Sequence, residues 1–125
     1  MRILLDTHVF IWWVEDSNKL SKAARNIIAN ADEAYISSAS IWEIAIKSKI
    51  GKIEVDMNAL INTIKKGDFL ELPVSVKHAA ATLELPDIHN DPFDRILISQ
   101  AITEPLRFIS ADKKLREYSN IIDII

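Results

Sequence analysis

At 125 residues, 49% hydrophobic and 26% charged, the chain has the balance of one folded domain, not of a disordered segment. A net charge of −3 argues against a broad basic face for duplex nucleic acid, and the absence of cysteine removes disulfides, thiolate nucleophiles and thiolate metal sites. With Gly51 and Gly67 as the only glycines, a phosphate-binding P-loop, a GxGxxG turn and a GxSxG nucleophile elbow are all excluded.

No apolar run reaches membrane-spanning length. Asp6 interrupts the apolar start, so the chain is expected to lack a secretory signal and to work in the cytoplasm. Ile3 to Leu5 reads as a short buried strand, and Val9 to Val14 as a helix. Ser21 caps a second helix whose Ala24, Ile27 and Ile28 share a face. Ala34 to Ser37 is a second strand, after which Ser40 is expected to open a helix through Lys49, stopped by Gly51.

Asp56 caps the next helix, where Met57, Leu60, Ile61 and Ile64 recur at helical spacing up to Gly67. Phe69 to Leu72 is a third strand closed by Pro73. Ser75 to Leu83 is a short helix expected to turn Val76, Ala79, Ala80 and Leu83 inward. Asp91-Pro92 starts a helix running to Thr103, and Arg107–Ser110 and Ile121–Ile124 are the last strands. Strands alternating with helices predict a three-layer α/β/α domain over 1–125 with a mostly parallel five-stranded sheet.

In open sheets of this kind, ligands bind beyond the carboxyl ends of the strands. Asp6 sits at the end of strand one, and Asp112 just past strand four. Glu43 and Asp94 are expected in the first turns of their helices, so all four can face the same sheet edge. Each has an ordinary explanation. Asp6 can cap the following helix, Ser40-Ile41-Trp42-Glu43 reads as a capping box, Asp91 and Asp94 suit a helix start, and Asp112 suits a turn. Helix caps give carboxylates no reason to converge: two of them about 4 Å apart repel by roughly 4 kcal/mol at an effective dielectric near 20. A hard cation requires convergence, and Mg²⁺ on one or two carboxylates with waters suffices to hydrolyse a phosphodiester.

At these residues the chain resembles the PIN-domain nucleases, and within them the VapC-type toxins of toxin–antitoxin pairs. The resemblance rests on Leu5-Asp6-Thr7-His8, Ser40-Ile41-Trp42-Glu43-Ile44-Ala45 with Lys47, His89-Asn90-Asp91-Pro92-Phe93-Asp94-Arg95 with Ile98 and Gln100-Ala101, and Ser110-Ala111-Asp112. It implies an endoribonuclease dependent on Mg²⁺ or Mn²⁺, a homodimer, and inhibition by a cognate antitoxin. Carried over by position, Asp6 and Asp94 are metal ligands. Glu43 is a further ligand or the group that orients water, and Asp112 completes the site. Asp91 is the rival for the role given to Asp94.

His8, His78 and His89 lack zinc-ligand spacing and read as ordinary hydrogen-bonding residues. Lys47, Arg95 and Lys113 lie nearest the acids; they read as ordinary solvated charge, with contact to the RNA backbone as the alternative. The unbroken apolar run Val9 to Val14 predicts either a wholly internal helix or an interface through Trp12 or Trp13, and the interface is preferred. The alternative roles are housekeeping RNA processing and an inactive PIN-like binding module. A signalling receiver fits poorly, because Asp6 stands without a paired acid and strand three ends Glu71-Leu72-Pro73.

Overall fold

The structure, a computed structural model, describes residues 1–125. Each of five short strands feeds helical structure, except the last: β1 (Arg2–Leu5), β2 (Glu33–Ser37), β3 (Leu70–Leu72), β4 (Arg107–Ser110) and β5 (Ile122–Ile124). All pair in parallel, in the order β3–β2–β1–β4–β5. The chain therefore builds outward from β1 in one direction and then returns to build in the other. That makes the β1–β4 boundary the topological switch point, where the crevice for a ligand opens.

Side-chain alternation along the strands divides the interior in two. Ile3, Leu5 and Ile109 pack with α1 (Thr7–Val14), α2 (Lys22–Ala29) and α4 (Met57–Lys65) on one face. Leu4 and Phe108 pack on the other face, against α6 (Pro92–Thr103) and a 3₁₀ helix over Lys113–Tyr118. α3 (Ser38–Lys49) bridges the layers, with Ile44 in the first cluster and Ala39 in the second. The three-layer expectation holds, with a wholly parallel sheet. No helix is long and apolar enough to cross a membrane.

Three local expectations are corrected. α3 starts at Ser38, not Ser40: Ser37 is its cap, accepting from the Ala39 amide at 3.0 Å, and β2 runs straight into the helix. Ser40 is thus inside the helix and buried, no capping box exists there, and Glu43 lies in the second turn. The helix after β3, α5 (Val76–Ala81), gives way to a 3₁₀ turn over Thr82–Glu84, and Val76 and Leu83 both face solvent. Its buried anchor is His78, whose Nδ1 accepts from the Ser75 amide at 3.0 Å while Nε2 lies 2.6 Å from Glu104. Apolar spacing misreads this helix because a polar contact, not a hydrophobic stripe, sets its rotation.

The third correction concerns α1. It is not wholly internal, since Trp12, Trp13 and Val14 remain partly exposed. Val9, Phe10 and Ile11 are buried, and the Trp13 ring packs edge-on against Phe69 with centroids 6.1 Å apart. Trp13 is thereby accounted for by the core. Trp12 is also partly buried against this cluster, with its ring beside His8 on the same side of the helix.

Candidate active site

The end of β1 delivers Asp6 into the switch-point crevice. Its backbone N–H still donates to Ile109 at 2.9 Å, so the residue is locked to the neighbouring strand. Its side chain does cap α1, with Oδ1 accepting from the Thr7 amide at 2.7 Å. The other oxygen, Oδ2, accepts from the Ser110 hydroxyl at 2.6 Å. Burial pushes the Asp6 carboxyl up from its ordinary value, against the pull of those two donors. Cap and site residue are the same side chain here.

Thr7 links this strand end to α3. Its hydroxyl lies 2.7 Å from Glu43 Oε1 and 2.9 Å from the Ser40 hydroxyl. Glu43 Oε2 accepts from Lys47 at 2.5 Å, one helical turn on, and this pair holds the lysine above its ordinary pKa. This lysine, a candidate RNA contact, is thus already committed to Glu43. Buried Ser40, taken for a cap, is instead a hydrogen-bonding support for the Thr7–Glu43 contact.

Asp94 projects from the first turn of α6. Asp91, and not Asp94, is the helix cap, with Oδ1 accepting from the amides of Phe93 at 2.9 Å and Asp94 at 3.2 Å. Asp94 is pushed up to about 8, first by burial and then by the negative charges of Asp6, Asp91, Glu43 and Asp112 that face it. Three acids distant in sequence, Asp6, Glu43 and Asp112, and the neighbouring Asp91 thus bear on one carboxyl group. Asp112 caps the 3₁₀ helix through the Lys114 amide at 3.0 Å. Together with Asp6, His8, Trp12 and Ala111 it lines a hollow of about 210 Å³. Ser110 ties the two strand ends together, since its hydroxyl also accepts from the Asp112 amide at 3.0 Å.

The donor set is one of hard oxygens, which suits Mg²⁺ or Mn²⁺ and no thiophilic metal. No three acidic or histidine side chains form a closed cage for an ion. Mg²⁺ typically keeps several waters and takes one or two carboxylates, so an open arrangement is compatible with it. The unneutralised charge facing Asp94 is the feature that a divalent cation would satisfy.

Sequence reasoning passed over several residues around these acids. Thr7 and Ser40 carry no acid–base signal and emerge only once β1 and α3 are side by side. Arg95, another candidate RNA contact, instead donates to the carbonyls of Pro86 at 2.9 Å and Thr82 at 3.2 Å, and so pins the preceding loop. Lys113 remains exposed. Trp42, next to Glu43, is 65% exposed and meets Phe93 edge-on at 5.5 Å, forming part of an apolar groove of about 460 Å³ with Val74 and Ile96. That groove borders the acids but offers no acid–base group of its own.

Residues 3–121 match the PIN domain family model. The chain is 29% identical over 118 residues to Ribonuclease VapC22 of Mycobacterium tuberculosis (strain ATCC 25618 / H37Rv), an alignment covering 93% of this chain and 91% of that protein. Among solved structures it superposes on VapBC2 from Rickettsia felis bound to a DNA fragment from their promoter, with TM-score 0.73 and 18% identity over 99% of this chain and 98% of the other. DNA-bound VapBC from Salmonella typhimurium gives TM-score 0.71 at 15% identity, covering 99% of this chain and 98% of that one. A toxin–antitoxin complex from Klebsiella pneumoniae gives 0.67 at 16%, covering 97% and 95%. The family match spans almost the whole sheet and every acid described above: this chain belongs to the PIN-domain family.

Proposed function

We propose that the protein is a metal-dependent endoribonuclease and the toxin of a type II toxin–antitoxin pair, with residues 1–125 acting as one nuclease unit in the cytoplasm. The observation that carries the reading is the set of acids from separate elements whose charges converge on Asp94. A similar chain named as a ribonuclease and structural neighbours that are toxin–antitoxin complexes support it. An antitoxin partner and a homodimer belong to the same proposal.

Asp6 and Asp94 would hold Mg²⁺ or Mn²⁺, with Asp112 completing the set at the rim. When bound, the ion supplies an acidified water and positive charge against the phosphate oxygens. Glu43 is held from both sides, by Thr7 on one oxygen and Lys47 on the other. A carboxylate fixed this way keeps lone pairs for a water hydrogen and orients the attacking oxygen toward phosphorus. Water adds to the phosphorus as its proton passes to Glu43, and the bond to the leaving ribose oxygen breaks, that oxygen taking a proton from solvent. Lys47 stays beside the site as a cation against which the phosphate charge can settle.

The test is cleavage of labelled tRNA, ribosomal and messenger RNA by the purified protein with Mg²⁺ or Mn²⁺. Cleavage should stop with EDTA and in Asp6→Asn and Asp94→Asn. Cleavage by both variants at the wild-type rate would overturn the assignment.

A further inference from the structure

The acids of the site differ in one respect. Asp6 accepts hydrogen bonds on both oxygens, as does Glu43, while Asp91 and Asp112 each accept from backbone amides. Asp94 accepts none. Facing it, His89 Nε2 lies 3.3 Å from Asp94 Oδ2 and is itself a buried nitrogen without a hydrogen-bond partner. Two unsatisfied polar groups at that separation need only a small rotation to become a donor–acceptor pair.

The opposite side of the imidazole determines which group donates. Nδ1 lies 3.0 Å from the Tyr118 hydroxyl. That hydroxyl already accepts from the His89 amide at 3.2 Å and from Arg95 at 3.3 Å, and its own hydrogen has two acceptors in reach, the His89 carbonyl at 3.2 Å and the nearer Nδ1 at 3.0 Å. Nδ1 then acts as acceptor, and Nε2 carries the hydrogen that points at Asp94. Arg95 follows Asp94 on α6 and also binds the Pro86 and Thr82 carbonyls. Adjacent residues of one helix therefore grip the same loop, one through its guanidinium and the other through His89. Tyr118 comes from the 3₁₀ helix that begins just after Asp112, so both rims of the crevice are joined.

We propose that His89 is the positioning residue for Asp94: its Nε2–H holds one carboxylate oxygen and so presents the other to the divalent ion, with Tyr118 fixing the imidazole tautomer. This rests on the metal site proposed above. Groups that orient a metal-binding side chain in this way typically contribute about 10–100-fold to metal affinity.

The experiment is calorimetric titration of the intact protein with Mn²⁺, alongside melting of each variant in EDTA. Wild type binds. His89→Ala should bind at least roughly 10-fold more weakly, while His89→Gln, which restores an N–H donor, should recover part of that loss. Tyr118→Phe should fall between wild type and His89→Ala. Metal-free melting temperatures within about 2 °C of wild type separate this from a general structural defect. Mn²⁺ affinity unchanged in His89→Ala, or equally weakened in His89→Gln at unchanged melting temperature, overturns the role of His89. If His89→Ala fails to fold, His89→Gln and Tyr118→Phe decide: both matching wild-type affinity overturns it. Wild type failing to bind Mn²⁺ at all overturns the metal site itself, a distinct result.

Discussion

Replacing Asp94 by Asn tests whether the carboxylate is held in the site against its own electrostatic preference. In the metal-free protein its pKa is raised from 3.8 to about 8, so the folded state holds a proton that the unfolded chain has already released. Stability must then fall as pH rises from about 4 to about 8, and level off above that. Between pH 5 and 9 the cost has a ceiling of about 4 kcal/mol, at about 1.4 kcal/mol per pH unit. The Asp94 side chain is 18% exposed, and water screening reduces that to about 2 kcal/mol. Asp94→Asn cannot ionise. Its stability relative to wild type should therefore grow by about 2 kcal/mol from pH 5 to pH 9, or about 8 °C in melting temperature for a domain of this size. The assay is thermal unfolding by circular dichroism in EDTA across that range. Saturating Mg²⁺ at 100 times its dissociation constant should add about 2.7 kcal/mol to wild type and nothing comparable to the variant. A stability difference flat with pH, or a variant less stable throughout, would refute the reasoning and make Asp94 an ordinary helix-start residue.

The neighbouring acid Asp91 should behave oppositely: Asp91→Ala loses a cap and about 1 kcal/mol by urea unfolding, yet retains RNA turnover measured on the same preparation. Lys47→Met should leave Glu43 without its cation, lowering kcat for RNA cleavage at least roughly tenfold while costing about 1 kcal/mol or less in stability, since the lysine is partly exposed. Trp13→Ala should cost about 3 kcal/mol, because the ring packs against Phe69, whereas Trp12→Ala at the rim should cost well under half of that in the same denaturant titration.

Elements with a strong periodic or capping signal were legible from residue order. Asp56 and Asp91 cap their helices as their positions foretold, and Pro92 opens α6. Strand residues Ile3 to Leu5 and Phe108 to Ser110 occupy the centre of the sheet, buried on both faces, which is why Ile3 to Leu5 reads as an unbroken apolar run. Legibility failed where polar contacts between distant segments set the geometry. Ser40 looked like a cap because its spacing to Glu43 matches a capping box, but Ser37 is nearer the end of β2 and takes that role. The pattern was locally consistent and still wrong, because the strand–helix junction is decided by where β2 stops pairing.

The candidate site divides the same way. Motif and strand-end position nominate the candidate acids, whereas they give no sign of the hydroxyls around them. Thr7, Ser40 and Ser110 are hydroxyls that any turn or helix could carry, and only the apposition of β1, α3 and β4 gives Thr7 and Ser110 carboxylates to bind and sets Ser40 against Thr7. His89 was dismissed as an ordinary hydrogen-bonding residue, since no spacing rule connects it to Asp94 and Tyr118 at once. Arg95 reads from sequence as a cation next to an acid; packed, it is a clamp on the loop that carries His89.

The account stands on a divalent ion bridging strand-end and helix-start acids at the switch point. Its most direct test is a crystal soaked in Mn²⁺ and measured at the manganese absorption edge. The account predicts an anomalous peak touching the carboxylates of both Asp6 and Asp94, absent when either is changed to Asn. No peak at that position under saturating Mn²⁺, in a protein that still cleaves RNA, would contradict it.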